Sequence, residues 1–405
     1  MKFWRQYIPK SIRNLRHLGY ALGGALRYGH PSEKLFVIGV TGTSGKSSTI
    51  YFLRQILEGL GFTIGALSTI EFCVAGECQL NDRKMTMLGK MEIQKYVRQM
   101  VEKKCDIALI ETTSEGYLQS RHRFINYDMM VLTNLYPEHI EAHGGFENYK
   151  AAKLGLFAAM TRSQEKTGAR FLNPRLQSQY GGEPIRKTAL VNGNSEYASE
   201  FLATTKNRKI FGRELYRPFP VDVQPQDVFS ARDVHISAQG ITFSLEGQKF
   251  TVPIFGEHNV TNIAAAIAIA RSFGADWNSI QKNVQQLKSP PGRIEFIEEA
   301  EEKGFRVIVD YAFEPVAMEA LYKVVLMLTP KRIIHVFGST GGGRDIARRF
   351  TVGKLVGEKA DICIVTNEDP YDDDPVSIAD DVAKAVRVTG KREKTDLFVI
   401  MDRRA

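Results

Sequence analysis

The chain has 405 residues, 43% of them apolar, and a formal net charge of +8. That length suffices for two or three domains with cores of their own, and no stretch reaches the roughly 18 apolar residues of a membrane-spanning helix. Most of the excess charge lies in residues 1–30, which contain six Lys or Arg residues and no acid. The remainder is nearly balanced, so we predict no nucleic-acid partner.

Four cysteines are few and scattered for a chain of this length. Reduced thiols in a cytoplasmic protein are the simplest interpretation. Cys73 and Cys78 are close enough in sequence to pair or to share a metal ion, but no other Cys or His lies near them, and we therefore disfavour a metal site.

Residues 1–34 form a basic segment in which aromatic and aliphatic residues alternate with the charges. The charges interrupt any signal-peptide apolar region. We favour a helix that packs on the first domain. The alternative is a basic amphipathic helix, in residues 1–30, that makes weak contact with an anionic membrane surface.

From residue 35 onward, apolar strands alternate with amphipathic helices. We predict strands at 35–40, 107–110 and 129–132, and helices at 48–60, 91–104, 149–160 and 259–273. Short, continuously apolar strands between helices indicate a mostly parallel sheet that is covered on both faces. Residues 205–252 differ, because they favour short alternating strands and a hairpin with its turn at 246–247.

Residues 289–292, Ser-Pro-Pro-Gly, break helix and strand alike and predict a linker. Beyond them, strands at 306–310, 332–337, 362–366 and 397–401 predict a second, Rossmann-like domain. The chain stops just after a strand, so we expect this domain to be incomplete. The predicted class is α/β, with a basic segment at 1–34, a central nucleotide-binding domain at 35–290 and the Rossmann-like domain at 291–405.

A glycine-rich stretch, residues 41–49, joins the first predicted strand to the first helix of the central domain. Strand, Gly-Lys-Ser turn and helix together predict a phosphate-binding loop, because backbone N–H groups and the helix N-terminus face one point there. Lys46 adds a full positive charge, and Ser47 can place its hydroxyl on Mg²⁺. The residues predicted to bind the nucleotide are Gly42, Thr43, Ser44, Gly45, Lys46, Ser47 and Ser48.

Polar residues also follow the next predicted strands. Glu111 ends the 107–110 strand, at the sheet edge where ligands bind in open α/β folds. Asn134 and His139 follow the 129–132 strand, and Lys153 lies on the next predicted helix. Taken singly, each has an ordinary structural explanation, and a helix lysine is normally solvated.

Nine motifs occur together in the order found in one family. They are residues 42–49, 111–114, 133–139, 149–153, 256–262, 291–295, 309–312, 337–345 and 367–370. Over residues 36–405 the chain resembles the ATP-dependent Mur ligases of peptidoglycan synthesis. Within that family it is most similar to the branch that adds the third amino acid to UDP-MurNAc-L-Ala-D-Glu.

The resemblance implies ATP and Mg²⁺ as cofactors, and a catalytic set of Lys46, Glu111, His139 and Lys153. It implies that Ser47, Glu111, His139 and a carbamate on Lys153 hold Mg²⁺. Further nucleotide contacts fall on Asn134, Asn259, Arg293 and Asp310. Contacts with the sugar-peptide substrate and the incoming amino acid fall on Thr86, Thr113, Gln119, Arg121, Asp369, Pro370 and Tyr371.

Several features depart from the family pattern. Only residues 1–34 precede the first strand of the central domain, where the family carries a uridine-binding domain. Glu115 and Phe313 replace usual histidines. Tyr371 stands where an Arg pairs with the distal carboxylate of diaminopimelate. The following acids, Asp372 to Asp374, either favour a cationic amino acid such as lysine or form a solvated loop, which we prefer.

We therefore expect a monomeric, cytoplasmic ligase that forms an amide bond through an acyl phosphate, with a UDP-MurNAc-peptide-type precursor and an amino acid as substrates. Two alternatives stay open at this point. One is a Mur-like ligase acting on another carboxylate, of polyglutamate or lipid-linked type. The other is a non-catalytic nucleotide-binding module that needs a partner.

Overall fold

The computed structural model describes residues 10–83, 85–137, 143–216, 222–342 and 346–404. The chain forms two compact units. The first contains the described residues up to 236 together with 240–290, and the second contains 237–239 and the described residues from 291 onward. Each unit has its own hydrophobic core.

The first unit alternates helices and strands along most of its length. Its helices are α1 Lys10–Arg27, α2 Lys46–Gly59, α3 Lys90–Glu102, α4 Ser114–Leu118, α5 Phe146–Arg162, α6 Pro174–Tyr180, α7 Ala198–Leu202, α8 Asn259–Ser272 and α9 Trp277–Val284. Its strands are β1 Phe36–Thr41, β2 Ile64–Leu67, β3 Glu71–Val74, β4 Glu77–Leu80, β5 Ile107–Glu111, β6 Met129–Leu132, β7 Thr188–Asn192, β8 Asn207–Arg213, β9 Val228–Ser237, β10 Gly240–Leu245 and β11 Gln248–Val252.

These strands form one 11-stranded sheet in the order β11-β10-β9-β8-β7-β6-β1-β5-β2-β3-β4. Neighbours from β9 to β2 in that order run parallel, while β2–β3, β3–β4 and β10–β11 are antiparallel. The prediction of a mostly parallel sheet with a hairpin around 246–247 is therefore confirmed.

Both faces of the sheet are buried. Phe36, Ile38 and Val40 of β1 join one core cluster with side chains of α2 and α8, whereas Val37 joins a second cluster with side chains of α3 and α5. All six residues of β1 are buried. A strand whose alternate side chains enter two cores must be apolar throughout, which explains the continuous apolar run in the sequence.

The second unit contains two small sheets. Antiparallel β12 Glu295–Phe296 and β13 Ile308–Val309 form one, and parallel β14 Ile334–Phe337, β15 Ile362–Val365 and β16 Leu397–Val399 form the other. Its helices are α10 Glu298–Glu301, α11 Pro315–Met327, α12 Ala347–Lys359 and α13 Pro375–Arg387. Parallel strands joined through α12 and α13 give the expected Rossmann-like arrangement.

The first helix, α1, packs against α3 through small residues. Ala21 and Ala25 are buried, and a Cβ at Gly24 would lie only 3.1 Å from the Cα of Met91. This agrees with the favoured interpretation of a helix packed on the first domain. Leu18, Leu22 and Leu26 are exposed. A membrane-surface contact through residues 1–30 stays a prediction, and among the described helices none is both long and apolar enough to cross a bilayer.

The expectation of reduced thiols is wrong for one pair of cysteines. Cys73 and Cys78 occupy directly opposite positions in the β3–β4 ladder and form a disulfide. Antiparallel pairing across a short turn brings two cysteines five residues apart into contact. Cys105 and Cys363 are free and buried.

Candidate active site

The glycine-rich loop joins β1 to α2 and passes close over the end of β6. A Cβ at Gly42 would lie 1.9 Å from Thr133 Oγ1, which leaves no room for a side chain. Gly45, at the N-cap of α2, has φ 76°, a left-handed conformation that glycine adopts without strain. These two glycines let the loop lie flat on the neighbouring strand and then turn directly into the helix.

Asn134, at the end of β6, shapes this loop. Its Oδ1 accepts hydrogen bonds from the backbone N–H groups of Thr43 (3.1 Å) and Ser44 (2.9 Å). Its Nδ2 donates to the carbonyl and hydroxyl oxygens of Ser44, at 3.2 and 3.1 Å. The structure therefore brings this predicted nucleotide residue to the loop, where it fixes the backbone.

A hydroxyl and a carboxylate meet beneath the loop. Ser47 Oγ donates to Glu111 Oε2 at 2.9 Å, and the same oxygen accepts from the N–H and hydroxyl of Thr69, at 2.7 and 3.1 Å. Glu111 is buried. Lys46 Nζ donates to the carbonyls of Gly42 and Thr43, both at 3.0 Å. Hydroxyl and carboxylate oxygens are the ligands that Mg²⁺ prefers.

Lys153, on α5, is almost completely buried, with 2% of its surface exposed. Its Nζ donates to the Gly42 carbonyl at 2.7 Å and lies 4.5 Å from the ring centroid of Tyr149. The Tyr149 hydroxyl in turn donates to Thr43 Oγ1 at 3.2 Å. A buried lysine is costly and needs partners, so its place against the loop sets it apart from an ordinary helix lysine.

His139 lies outside the described residues, together with its neighbours 138–142. Its role as a metal ligand therefore stays a prediction. Farther along, His143 Nε2 lies 3.1 Å from Ser114 Oγ, at the start of α4. The site prediction missed this pair, although Ser114 belongs to a stretch that it singled out, 111–114.

Residues that are predicted to contact the sugar-peptide substrate lie on and around α4. Thr113 Oγ1 caps that helix by accepting from the N–H of Gly116 at 2.9 Å. Gln119 Oε1 accepts from Nε (3.0 Å) and Nη2 (2.6 Å) of Arg121. Arg121 Nη1 donates to the carbonyl of Met87, the residue after Thr86. Burial lowers the pKa of Arg121 from its usual value, and the nearby Glu115 carboxylate offsets only part of that lowering.

Asn259 is linked to the loop through Asn262. Its Nδ2 donates to the Phe255 carbonyl at 2.7 Å, and its Oδ1 accepts from Asn262 Nδ2 at 3.1 Å. Asn262 Oδ1 accepts from Thr49 Oγ1 at 3.2 Å and would lie 2.5 Å from a Cβ at Gly45. Asn262, which the site prediction did not include, is therefore a residue of α8 that touches the loop.

Two predicted nucleotide residues belong to the second unit. The Arg293 guanidinium lies 5.0 Å from the ring centroid of Tyr311. Asp310 directly follows β13, and its carboxylate accepts from the N–H groups of Ile294 (2.7 Å) and Ala312 (2.6 Å). The structure thus brings these two predicted residues to one end of the β12–β13 ribbon.

Residues 369–371, which are predicted to contact the incoming amino acid, lie after β15. The Asp369 carbonyl accepts from the N–H of Gly341 at 3.0 Å, and Tyr371, with φ 50°, is exposed. Asp373 pairs with Arg349 at 3.3 Å, and Asp374 caps α13. Two of the three acids after Tyr371 thus have structural partners, which favours the interpretation of a loop over that of a lysine-binding site.

Two family models match the chain, and the chain also has relatives among known proteins. The models are the Mur ligase middle domain, over residues 40–174, and the Mur ligase glutamate ligase domain, over residues 292–405. A UDP-N-acetylmuramyl-tripeptide synthetase of Roseiflexus sp. (strain RS-1) is 31% identical over 99% of this chain and 76% of its own length. A UDP-N-acetylmuramoyl-L-alanyl-D-glutamate–2,6-diaminopimelate ligase of Clostridium tetani is 27% identical over 97% of this chain and 73% of its own length.

Solved structures share the fold. A UDP-N-acetylmuramoyl-L-alanyl-D-glutamate–2,6-diaminopimelate ligase matches with a TM-score of 0.60 and 23% identity, over 92% of this chain and 69% of that one. The Mycobacterium tuberculosis folylpolyglutamate synthase complexed with ADP matches with a TM-score of 0.63 and 16% identity, over 97% of this chain and 85% of that one. At these identities the likeness concerns the fold alone. Both domain models in sequence order, together with the relative from Roseiflexus, show that the chain belongs to the Mur ligase family of ATP-dependent acid–amino-acid ligases.

Proposed function

We propose that this ligase adds the third amino acid to a UDP-MurNAc-dipeptide, or to a close variant of that cell-wall precursor, through an acyl phosphate. The Ser47–Glu111 pair beneath the loop, 2.9 Å apart, carries the proposal, because it joins a phosphate-binding loop to an oxygen-rich cation site. The names of the relatives from Roseiflexus and Clostridium support the acceptor.

The described residues fit a magnesium ion. Ser47 and Glu111 offer oxygen ligands side by side, and His139 would complete the set. When bound, Mg²⁺ would neutralise negative charge on the phosphates of ATP. Lys46 adds a fixed positive charge at the start of α2, where the helix N-terminus already favours phosphate.

We further propose that Lys153 acts as a carbamate. Addition of CO₂ to Nζ, with loss of a proton, would leave one N–H there, enough for the observed bond to the Gly42 carbonyl, and would replace a buried positive charge with a negative one. That sign suits a second cation beside the phosphates. Replacing Lys153 with Ala should abolish ligation, and a short carboxylic acid such as acetate should restore part of it. Absence of rescue in a correctly folded variant would contradict the carbamate.

The chemistry follows from the weakness of a carboxylate as an electrophile. Transfer of the γ-phosphoryl group of ATP to the acceptor carboxylate gives an acyl phosphate and ADP. The amine of the incoming amino acid then attacks the acyl carbon, loses a proton, and expels phosphate. In this proposal Arg121 and Gln119 hold the acceptor near Thr86 and Thr113, while Arg293 and Asp310 contact the nucleotide. Asp369, Pro370 and Tyr371 contact the amino acid.

The decisive experiment measures amino-acid-dependent phosphate release with ATP, Mg²⁺ and UDP-MurNAc-L-Ala-D-Glu. We expect release with one or a few amino acids from a panel that includes diaminopimelate, lysine and ornithine, and none from the Lys46→Ala variant. Failure with every amino acid would overturn the proposed acceptor. Release with a polyglutamate-type acceptor instead would support the first alternative that the sequence left open.

A further inference from the structure

The disulfide joins a buried strand to the outermost strand of the sheet. Cys73, on β3, is fully buried, whereas Cys78, on β4, is exposed, as are the other three residues of β4. Strand β4 is the last in the sheet order, and among the described strands it pairs with β3 alone. A small thiol in solution can therefore reach the disulfide from the side of Cys78.

The two strands of this hairpin are anchored very differently. Glu71, on β3, accepts a hydrogen bond from Arg54 Nε of α2 at 2.8 Å, and the side chains of both residues are nearly buried. The contacts of β4 beyond its ladder include an ion pair of Glu77 with Lys103, exposed on both sides. Exposed ion pairs contribute little to stability. If the sulfur–sulfur bond opens, β4 is the strand that loosens.

Asn81 connects the end of β4 to the candidate active site. Its backbone N–H donates to the Ile70 carbonyl at 2.9 Å, and its Nδ2 donates to the carbonyls of Ser68 (2.9 Å) and Met85 (3.1 Å). The first two carbonyls flank Thr69, which supplies two of the three hydrogen bonds to Glu111 Oε2 described above. The third carbonyl, that of Met85, belongs to the segment that Arg121 contacts.

We propose that Cys73 and Cys78 form a reversible thiol–disulfide site that takes a low-molecular-weight dithiol as its reactant, and that its state controls the order of the Thr69 turn against Glu111. The oxidised pair holds β4, and through Asn81 it holds the turn. Reduction releases β4, and Glu111 then loses the support of its two bonds from Thr69. The consequence for Mg²⁺ rests on the proposed function of Glu111.

The exchange balances in two steps. A thiolate of the dithiol attacks Cys78 Sγ, the protein disulfide breaks, and Cys73 leaves as a thiolate that takes up a proton. The second thiol of the reagent loses its proton and attacks the reagent's first sulfur, which is bound to Cys78 in the mixed disulfide. Cys78 is released and takes up a proton. The protein gains two electrons and two protons, and the reagent leaves as a cyclic disulfide.

The first test counts thiols in the full-length protein, purified without reductant and then denatured. We expect two reactive thiols before treatment with dithiothreitol and four after it, because the chain contains four cysteines. Four thiols in the untreated protein would overturn the proposal. So would four thiols with one equivalent of bound zinc, since the ligand atoms of Glu71, Cys73 and Cys78 lie within 4.8 Å of one another.

The second test follows backbone hydrogen exchange in residues 77–87, with and without dithiothreitol. We expect faster exchange on reduction in the wild-type protein and in Cys105→Ser, a control at a buried free cysteine. Cys78→Ser should exchange fast under both conditions. Exchange that does not respond to reduction in the wild-type protein would overturn the proposal, whether or not the protein proves to be a ligase.

The third test measures the Mg²⁺ concentration needed for half-maximal binding of a fluorescent ADP analogue. Losing hydrogen bonds to Glu111 should raise that concentration about 2- to 10-fold on reduction. Asn81→Ala should show the raised value in both redox states. An unchanged value in the wild-type protein would overturn the link to Glu111. Absence of any nucleotide binding would instead count against the proposed function, and hydrogen exchange would still decide whether the disulfide holds β4.

Discussion

Single side chains from distant parts of the chain give the glycine-rich loop its shape. Asn134 is the clearest case, because its Oδ1 takes two loop N–H groups. We expect Asn134→Ala to weaken nucleotide binding about 10-fold, since two backbone donors lose their common acceptor. Titration with a fluorescent ADP analogue measures this. Asn173→Ala, which removes a helix cap elsewhere in the first unit, should leave the affinity unchanged. Equal losses in both variants would contradict a specific role.

A buried histidine makes the first unit sensitive to acid. His122 stacks on Tyr117, with 4.6 Å between ring centroids, and burial lowers its pKa from 6.5 to about 4. The unfolded chain therefore binds the proton more readily than the folded one between pH 6.5 and 4. Stability is full above pH 6.5 and falls as the pH decreases to 4, by at most about 3 kcal/mol.

His122→Phe should keep the stack on Tyr117 and flatten this pH dependence. Urea unfolding at several pH values between 4 and 7 measures the slope. His235→Gln, at an exposed position on β9, provides the control and should retain the wild-type slope. A wild-type slope in His122→Phe would show that other groups cause the loss of stability in acid.

Part of the site was predictable at this scale, and the reason is chemical. Lys46 and Ser47 belong to a local pattern whose spacing fixes a turn into a helix, whereas Glu111 meets Ser47 because its strand, β5, pairs with β1. Asn262 and the Ser114–His143 pair depend on packing between elements far apart in sequence. No local pattern shows which of two nearby asparagines on α8 faces the loop.

Among the elements, α1 offers a test of whether packing against α3 or intrinsic helix propensity decides how a substitution changes stability. A side chain at Gly24 would meet the backbone of Met91 on α3, whereas a Cβ at Gly23 has nothing within 4 Å. We expect Gly24→Leu to lower the free energy of unfolding by about 1–3 kcal/mol through overpacking. Gly23→Leu, its neighbour, should raise it by up to about 1 kcal/mol, because glycine is a poor helix former. Similar effects of both substitutions in thermal unfolding would contradict this packing.

The sequence predicted most long elements and missed several short ones. The predicted helix at 91–104 corresponds to Lys90–Glu102, and the predicted strand at 129–132 matches β6. Strands β2, β3 and β4 were not predicted, because they have four residues each and β4 has no buried face. Apolar periodicity also could not show that α1 turns its small residues inward and leaves Leu18 and Leu22 exposed.

At the scale of the whole molecule, each unit has its own core, and the loop belongs to the first. Trp277, on α9, lies in that unit, so the change in its fluorescence reports the unfolding of the first unit. Magnesium ADP at about 100 times its dissociation constant should stabilise this transition by about 2.7 kcal/mol. Lys46→Ala should abolish the shift. An unshifted wild-type transition would contradict nucleotide binding in the first unit.

The strand order of the large sheet has a consequence for synthesis. Strand β1 leaves the ribosome before every other strand of the sheet, but its two neighbours, β5 and β6, come much later in the chain. Parallel pairing between distant segments is slow to form. The loop after β1 also needs Asn134, beyond β6, before it acquires its shape. The loop is thus synthesised early but acquires its shape late. Nucleotide binding by a nascent chain would therefore mark the moment at which β1 has paired with β5 and β6.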